Sequence, residues 1–275
     1  MNRLLNESPS IRKPTTLQPK TWRTDHRPWP PPAQPWAVAL SLSDLVFLHW
    51  AVEPDLLRPA LPEGLALDTF EGSAWLSAIV FQVTRVRTRL TRATFGVKSF
   101  SQLIFRTYAT AGDRPGTYSL GMDVDYPMIA RAAQAAMGLE ISHASIRLQH
   151  DNDGWVRYHG TRPEPPAPPA QYSVASRPVG EAARSRPGEV DHFLHERYCD
   201  YSPSPSGEPR HQDFHHEPCR VQPAESVTTG MCPRVAGAPV ELGQPTLTRF
   251  VPNMHLVAWL PSTARLDIAP SLAIR

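Results

Sequence analysis

Lysine is almost missing from this chain. Only Lys13, Lys20 and Lys98 occur among the 28 basic residues of a 275-residue sequence, and all the others are arginine. Chemistry that needs an amine nucleophile therefore has few places to reside. Cysteine is equally sparse: Cys199, Cys219 and Cys232 form an odd set with no CxxC pair. That argues against a disulfide framework and against a structural zinc knuckle, and it fits a reducing, cytoplasmic compartment. No apolar run is long enough for a secretory signal or a membrane span, so no membrane partner is expected. A formal net charge of +2 is too balanced to point to nucleic acid. The sequence also lacks GxGxxG, a Walker string, GxSxG and any interleaving of basic and aromatic residues, which removes the strongest signals for nucleotide binding, α/β-hydrolase chemistry and RNA recognition.

What is present is concentrated in residues 26–75, where Trp29, Trp36, Trp50 and Trp75 stand among prolines, His26, Arg27, His49 and Arg58. Aromatics beside charged groups indicate a fixed polar arrangement rather than a purely apolar core. Residues 1–22 are expected to be a disordered leader, and 23–275 a single domain. Residues 37–50 predict one or two strands, Pro54 opens a short helix, and Glu71-Gly72 marks a two-residue hairpin between 65–70 and 73–83. A second hairpin joins 100–110 to 117–124 across GDRPG. Pro127 then opens a helix that Gly138 closes. Strands follow at 141–149, 155–162 and 171–176, then a short helix near 188–196, a strand over HQDFHH and a last strand or hairpin from Leu247. Many strands, frequent turns and few helices predict a β-rich α+β domain, mainly antiparallel.

Four constellations could carry chemistry. Alternation along 100–108 puts Gln102, Arg106 and Tyr108 on one strand face, where arginine could hold a carboxylate in two-pronged fashion. A solvated face or an internal ion pair would give the same pattern. His195-Glu196 begins a string like HExxH, but its fifth position is Cys199. His211, Asp213 and His215 alternate along the next strand, with His216 on the face of Phe214; they suit acid–base chemistry, metal binding or a solvated face. Asp123 and Asp125 are expected to share a face with Thr117 and Ser119, as a general acid–base pair or a metal cradle, although Asp125 is also a ready helix cap.

Seven blocks in order carry a wider likeness: HRPWP, DLVFLHW, LRPALPEGLALDTFEGSAW, FRTYAT, RPGTYSLGMDVD, FLHERYCDY and HHEPCRVQPAE. Over residues 26–261 the chain resembles the YqjF-like, or DUF2071, family of bacterial proteins, which is similar in fold to acetoacetate decarboxylase. The resemblance implies a curved antiparallel sheet forming a closed or partly closed β-barrel around a central cavity, with a few peripheral helices. The decarboxylases use a lysine Schiff base, with a GRE string followed by GFPKK. Here the comparable positions are Ala132 for the glutamate and Ile141 and Ser142 for the lysines, so the imine-forming amine is absent; Lys98 is the one lysine inside the folded region. The family's FPELNVRTY-type string is FSQLIFRTY in this chain, with Gln102 and Ile104 replacing a carboxylate and an amide, and its HPPW-like string is His216-Glu217-Pro218-Cys219.

Alternation and resemblance together imply a small-molecule-binding barrel, with an enzyme of lyase or isomerase type as one form of it, acting on a small carbonyl or carboxylate compound without a Schiff base and without a cofactor or metal. Arg106 and Arg197 would anchor an anion, with Gln102, His49 and Asp123 lining the ligand. Tyr108 and Glu196 would donate or accept protons, and His215 or His216 would act as acid or base. A non-catalytic binding or scaffold protein is the alternative, and a metal-dependent enzyme using His211, Asp213, His215 or the 192–199 cluster is another. A homo-oligomer is compatible with all three.

Overall fold

The computed structural model describes residues 22–89, 99–137, 140–163, 167–204 and 209–262. The long strands are β1 (Val38–Val52), β3 (Ala74–Thr88), β4 (Phe100–Ala111), β5 (Arg114–Val124) and β16 (Leu247–Ala258), with the two-residue β2 (Ala66–Leu67) between the first pair. Between β5 and β16 come β6 (Ile141–His143), β7 (Ser145–His150), β8 (Val156–Arg162), β9 (Ala170–Pro178), β10 (Ala183–Arg184), β11 (Cys199–Ser202), β12 (Arg210–His216), β13 (Arg220–Thr229), β14 (Arg234–Val235) and β15 (Ala238–Pro239). The helices are α1 (Pro54–Leu57), α2 (Pro127–Met137) and α3 (Val190–His195). The mainly antiparallel, β-rich architecture expected from the sequence is what forms. One long strand, β13, had no counterpart in the sequence reading.

Strand pairing follows the order β1-β3-β4-β5-β11-β12-β16, and β16 then pairs with β1, so the hydrogen bonding runs round a ring of seven strands. Beyond β12, β16 also pairs with β13, and the sheet continues through β9 and β8 to β7 as a wing. The β5–β11 and β5–β6 contacts are parallel; the other ring and wing pairings are antiparallel.

The wing explains the composition of β1 and β3. One face of each strand (Val46, Leu48, Trp50; Leu76, Ala78, Val80) packs with Ile146, Tyr158, Tyr172 and Val174 of the wing. The other face (Leu45, Phe47; Ile79, Phe81) packs with Phe100, Val124 and Val251. Strands covered on both sides need apolar residues at consecutive positions rather than in alternation. The expected tight turn at Glu71-Gly72 is present. Both residues have positive φ, 50° and 81°, and Phe70 and Ser73 exchange backbone hydrogen bonds across them, as the hairpin twist requires. Trp22, placed in the leader by the sequence reading, stacks on His215 at 5.2 Å; residues 1–21 lie outside the described residues.

Candidate functional site

A cavity of about 170 Å³ is lined by residues from all seven ring strands and from α3. Cross-strand register divides its wall into layers. Phe47 lies across from Ile79, Ile79 from Ile104, and Ile104 from Met122, which makes an apolar layer. One rung on, two residues along β1, β3 and β4 and three along β5, His49 faces Ser77, Ser77 faces Arg106, and Arg106 faces Ser119, which makes a polar layer whose Arg106 and Ser119 line the cavity while His49 and Ser77 lie behind it. A bulge in β5 sets this order: Phe105 pairs with Gly121 and Arg106 with Ser119, leaving Leu120 as the extra residue. Such a bulge flips the faces of everything beyond it, so Thr117, Ser119 and Met122 line the cavity while Asp123 does not.

The polar layer holds one cation without a dedicated counter-ion. Arg106 Nη2 donates to the Leu194 carbonyl at 3.2 Å, and its buried Nε has no partner. Among the described residues no carboxylate lies within ion-pair distance of it. Asp200 of β11 lies in the same cavity, accepting hydrogen bonds from Thr117 Oγ1 at 2.6 Å and Ser119 Oγ at 2.9 Å. Burial pushes its carboxyl up to about 6, against the two hydroxyls and Arg106, which favour the ionised form. Arg197 also lines the cavity but is already occupied. Its Nη1 reaches Asp68 Oδ2 and its Nε the Phe193 carbonyl, both at 2.6 Å, and its guanidinium lies 4.2 Å over the Phe193 ring. His216 sits between the carbonyls of Glu217 (2.8 Å) and Arg197 (3.2 Å). Burial lowers its pKa, opposed by Glu196 and those carbonyls. Cys219 lines the same wall, and burial pushes its thiol far up, so it stays protonated.

From His195 on the cavity wall a buried hydrogen-bond chain runs inward. His195 Nδ1 is 2.8 Å from the Asp191 carbonyl, which can only accept, so Nδ1 donates and Nε2 accepts. His49 Nε2, 3.3 Å away, is then the donor to it, and His49 Nδ1 accepts from Ser77 Oγ at 2.7 Å. Ser77 is 2.8 Å from the Tyr108 hydroxyl, which also reaches the Leu194 carbonyl at 3.2 Å. Burial lowers both imidazoles, His195 to about 4, so both are neutral near pH 7.

The structure thus sorts the residues expected from sequence. Arg106, Arg197 and His216 line the cavity. His49 and Tyr108 are buried one shell behind it. Glu196 faces elsewhere: its carboxylate accepts a short hydrogen bond from the Tyr198 hydroxyl and a 2.9 Å bond from the Cys219 amide, pinning two loops together. His215 lies on the opposite strand face from His216, against Trp22 and His26, with both ring nitrogens unpartnered. Gln102 is level with Phe81 and Val124, and its amide touches Met122 Sδ at 3.8 Å. Asp123, expected beside Thr117 and Ser119, is turned away by the bulge and pairs with Arg162 at 2.9 Å. The helix α3 ends at His195, so Glu196 and Cys199 do not continue a helical metal motif. Among the described residues no group of three or more His, Cys, Asp and Glu is gathered to hold a metal. Asp213 is instead the counter-ion of Arg114 and lies 3.6 Å from Arg27. Ile141 and Ser142, at the positions matched to the lysines, are buried on β6 and are not among the cavity-lining residues; Lys98 lies outside the described residues. Sequence reasoning missed Asp200 and Ser77, and named His195 only as part of a metal-like string. The signal for Asp200 was a carboxylate alternating with Cys199 and Tyr201, both of which turn out to be buried.

The strand ring is similar in fold to solved structures of acetoacetate decarboxylase-like proteins. Solved structures similar to the chain include the enduracididine biosynthesis enzyme MppR complexed with pyruvate (14% identity, TM-score 0.56, covering 84% of this chain and 92% of that one). They also include acetoacetate decarboxylase from Legionella pneumophila (11%, TM-score 0.54, 86% and 93%) and an acetoacetate decarboxylase-like enzyme from Sphingomonas wittichii (12%, TM-score 0.54, 82% and 91%). Within that fold the chain belongs to the DUF2071 family of uncharacterized conserved proteins, whose model matches residues 39–263. It is 29% identical over 191 residues to the protein YqjF of Bacillus subtilis, covering 70% of this chain and 77% of that one.

Proposed function

We propose that the ring acts as a barrel enclosing the site of a lyase- or isomerase-type enzyme, which moves a proton on a small carbonyl-bearing carboxylate without a Schiff base. Arg106 holds the anion and Asp200 transfers the proton. The observation that carries this reading is the presence, on the wall of one cavity, of an arginine lacking its own carboxylate and an aspartic acid whose carboxyl is pushed up to about 6. A carboxyl group whose pKa lies close to working pH is a competent acid–base group. With Asp200 ionised, it accepts a proton from the carbon beside the carbonyl; the electron pair becomes an enolate, whose oxygen the guanidinium stabilises, and the proton returns from Asp200 to carbon. A structural neighbour bound to pyruvate, itself a 2-oxo carboxylate, supports this ligand class.

The test is deuterium exchange of 2-oxo and 3-oxo acids in heavy water, followed by NMR. The wild-type protein should catalyse exchange or conversion of at least one acid. Asp200→Asn should slow it by about two to four orders of magnitude, and Arg106→Met should raise the substrate Kd. Turnover insensitive to both changes overturns the assignment. Binding without any exchange favours a second reading, a non-catalytic binding protein, which the internal hydrogen bonds of Glu196, Tyr108, His49 and Arg197 support.

A further inference from the structure

The polar layer accounts for one end of the cavity only. Besides the occupied Arg197, His195, His216 and Cys219, the wall is apolar, with Phe47, Ile79, Ile104 and Met122 followed by Phe81 and Met254, and none of these six can hydrogen-bond a hydrated ligand usefully. From this we infer that the natural ligand is amphiphilic: a carboxylate or 2-oxo carboxylate with an aliphatic or aromatic tail, its head at Arg106 and Asp200 and its tail along the apolar layer.

Three observations carry this. The first is register. The apolar and polar layers are adjacent rungs on the same strands, so a chain leaving the Arg106 layer along β3 and β4 next meets Ile79 and Ile104. The second is room. About 170 Å³ holds roughly a dozen water-sized units at ~10–15 Å³ each. Pyruvate would leave much of that space to water against an apolar wall, whereas a tail would displace it. The third is the other end. Beyond Arg106, the Tyr108 ring and Leu194 of α3 pack together, with Phe193 5.0 Å from the tyrosine ring. A tail has no course in that direction, which leaves the apolar layer. Met122 and Met254 add a wall that can reshape around different tails.

The inference rests on the anion-anchoring role given to Arg106, and the experiment separates the two. Dissociation constants are measured calorimetrically on the full chain for pyruvate, 2-oxobutanoate, 2-oxohexanoate, 2-oxooctanoate and phenylpyruvate, with 2-hexanone as the tail without the charge. Affinity should rise roughly fourfold per added methylene until the cavity is full, so that 2-oxohexanoate binds on the order of fiftyfold tighter than pyruvate. 2-Hexanone should bind far more weakly than 2-oxohexanoate, and Arg106→Met should erase that difference. Met254→Trp, which fills the apolar end, should cut the gain per methylene. A series that is flat or favours pyruvate, yet still depends on Arg106, overturns the tail and leaves the anion site standing. Failure of every acid to bind overturns both.

Discussion

Asp200 and Arg197 show why burial alone does not identify a working group. Both line the same cavity, Arg197 buried and Asp200 partly so. Arg197 is matched by Asp68 and a carbonyl, so its charge is settled and its removal would chiefly strand Asp68. Asp200 has two hydroxyl donors and no bonded cation, and its carboxyl is raised from 3.8 to about 6. The sign of its effect on stability follows. Between those values the folded protein holds the proton and the unfolded chain does not, so stability is favoured at low pH and lost as pH rises through about 6. Above that, ionised Asp200 costs on the order of 2–3 kcal/mol. Asp200→Asn should therefore be more stable than wild type at pH ~8, by about 1–3 kcal/mol, with the gap closing below pH ~5. Urea denaturation at the two pH values checks this; equal stability at both would mean that the carboxyl titrates normally. In the wild-type protein, turnover should rise with pH through the same midpoint if Asp200 acts as the base.

At the scale of elements, the site depends on two local departures from regular strand geometry. The Leu120 bulge aims Met122 inward and Asp123 away, and the close approach of β11 to β5 delivers Asp200 to Thr117 and Ser119. That approach needs glycine at 116, where a Cβ would lie 2.7 Å from both the Cys199 carbonyl oxygen and the Tyr201 ring. Gly116→Ala should push β11 outward, cost roughly 1–3 kcal/mol, and lower affinity for 2-oxo acids by loosening the Asp200 hydrogen bonds. Gly243→Ala, whose Cβ would meet nothing within 4 Å, is the comparison and should be close to neutral in the same urea melts and calorimetry. The same departures set what the sequence could reveal. The turn at Glu71-Gly72, the hairpin at Gly112-Asp113 and the helix start at Pro127 were legible because their signals are local; the strand expected at 65–70 pairs instead with β4, and Gly138, expected to close that helix, lies outside the described residues. Arg106 was legible because β4 is regular through that position. Asp123 was misplaced because nothing in TYSLGMDVD marks an extra residue, and a one-residue slip exchanges the faces. The strand β13 went unread because Pro223 interrupts its pattern and its partners β9 and β16 are distant in sequence.

Over the whole molecule, the ring and its wing bury histidines in numbers that local patterns do not announce. His49, His195, His215 and His216 come from β1, α3 and β12, each is no more than 4% exposed, and burial lowers the pKa of each. The sequence showed the residues but not their convergence, because contacts such as His49 to His195 join segments 146 positions apart. Their collective effect has a definite sign, opposite to that of Asp200. The unfolded chain takes up protons at ordinary histidine pKa while the folded protein resists, so the stability they permit is present above pH ~6.5 and lost as pH falls toward about 4. Each can contribute a slope of up to about 1.4 kcal/mol per pH unit in that window. His215 isolates the effect, because it stands outside the cavity, has no hydrogen-bond partner on either nitrogen, and is pushed down to about 4 by burial and by the neighbouring Arg27, His216 and His26. His215→Phe keeps a ring against Trp22 and removes the titration. Its unfolding free energy, measured by urea melts from pH ~7 to ~4.5, should fall less steeply than that of the wild type by up to one histidine's share, while binding of 2-oxo acids at pH ~7 stays unchanged. An unaltered slope would show that His215 titrates alike in the folded and unfolded chain, and that any acid sensitivity resides in other groups.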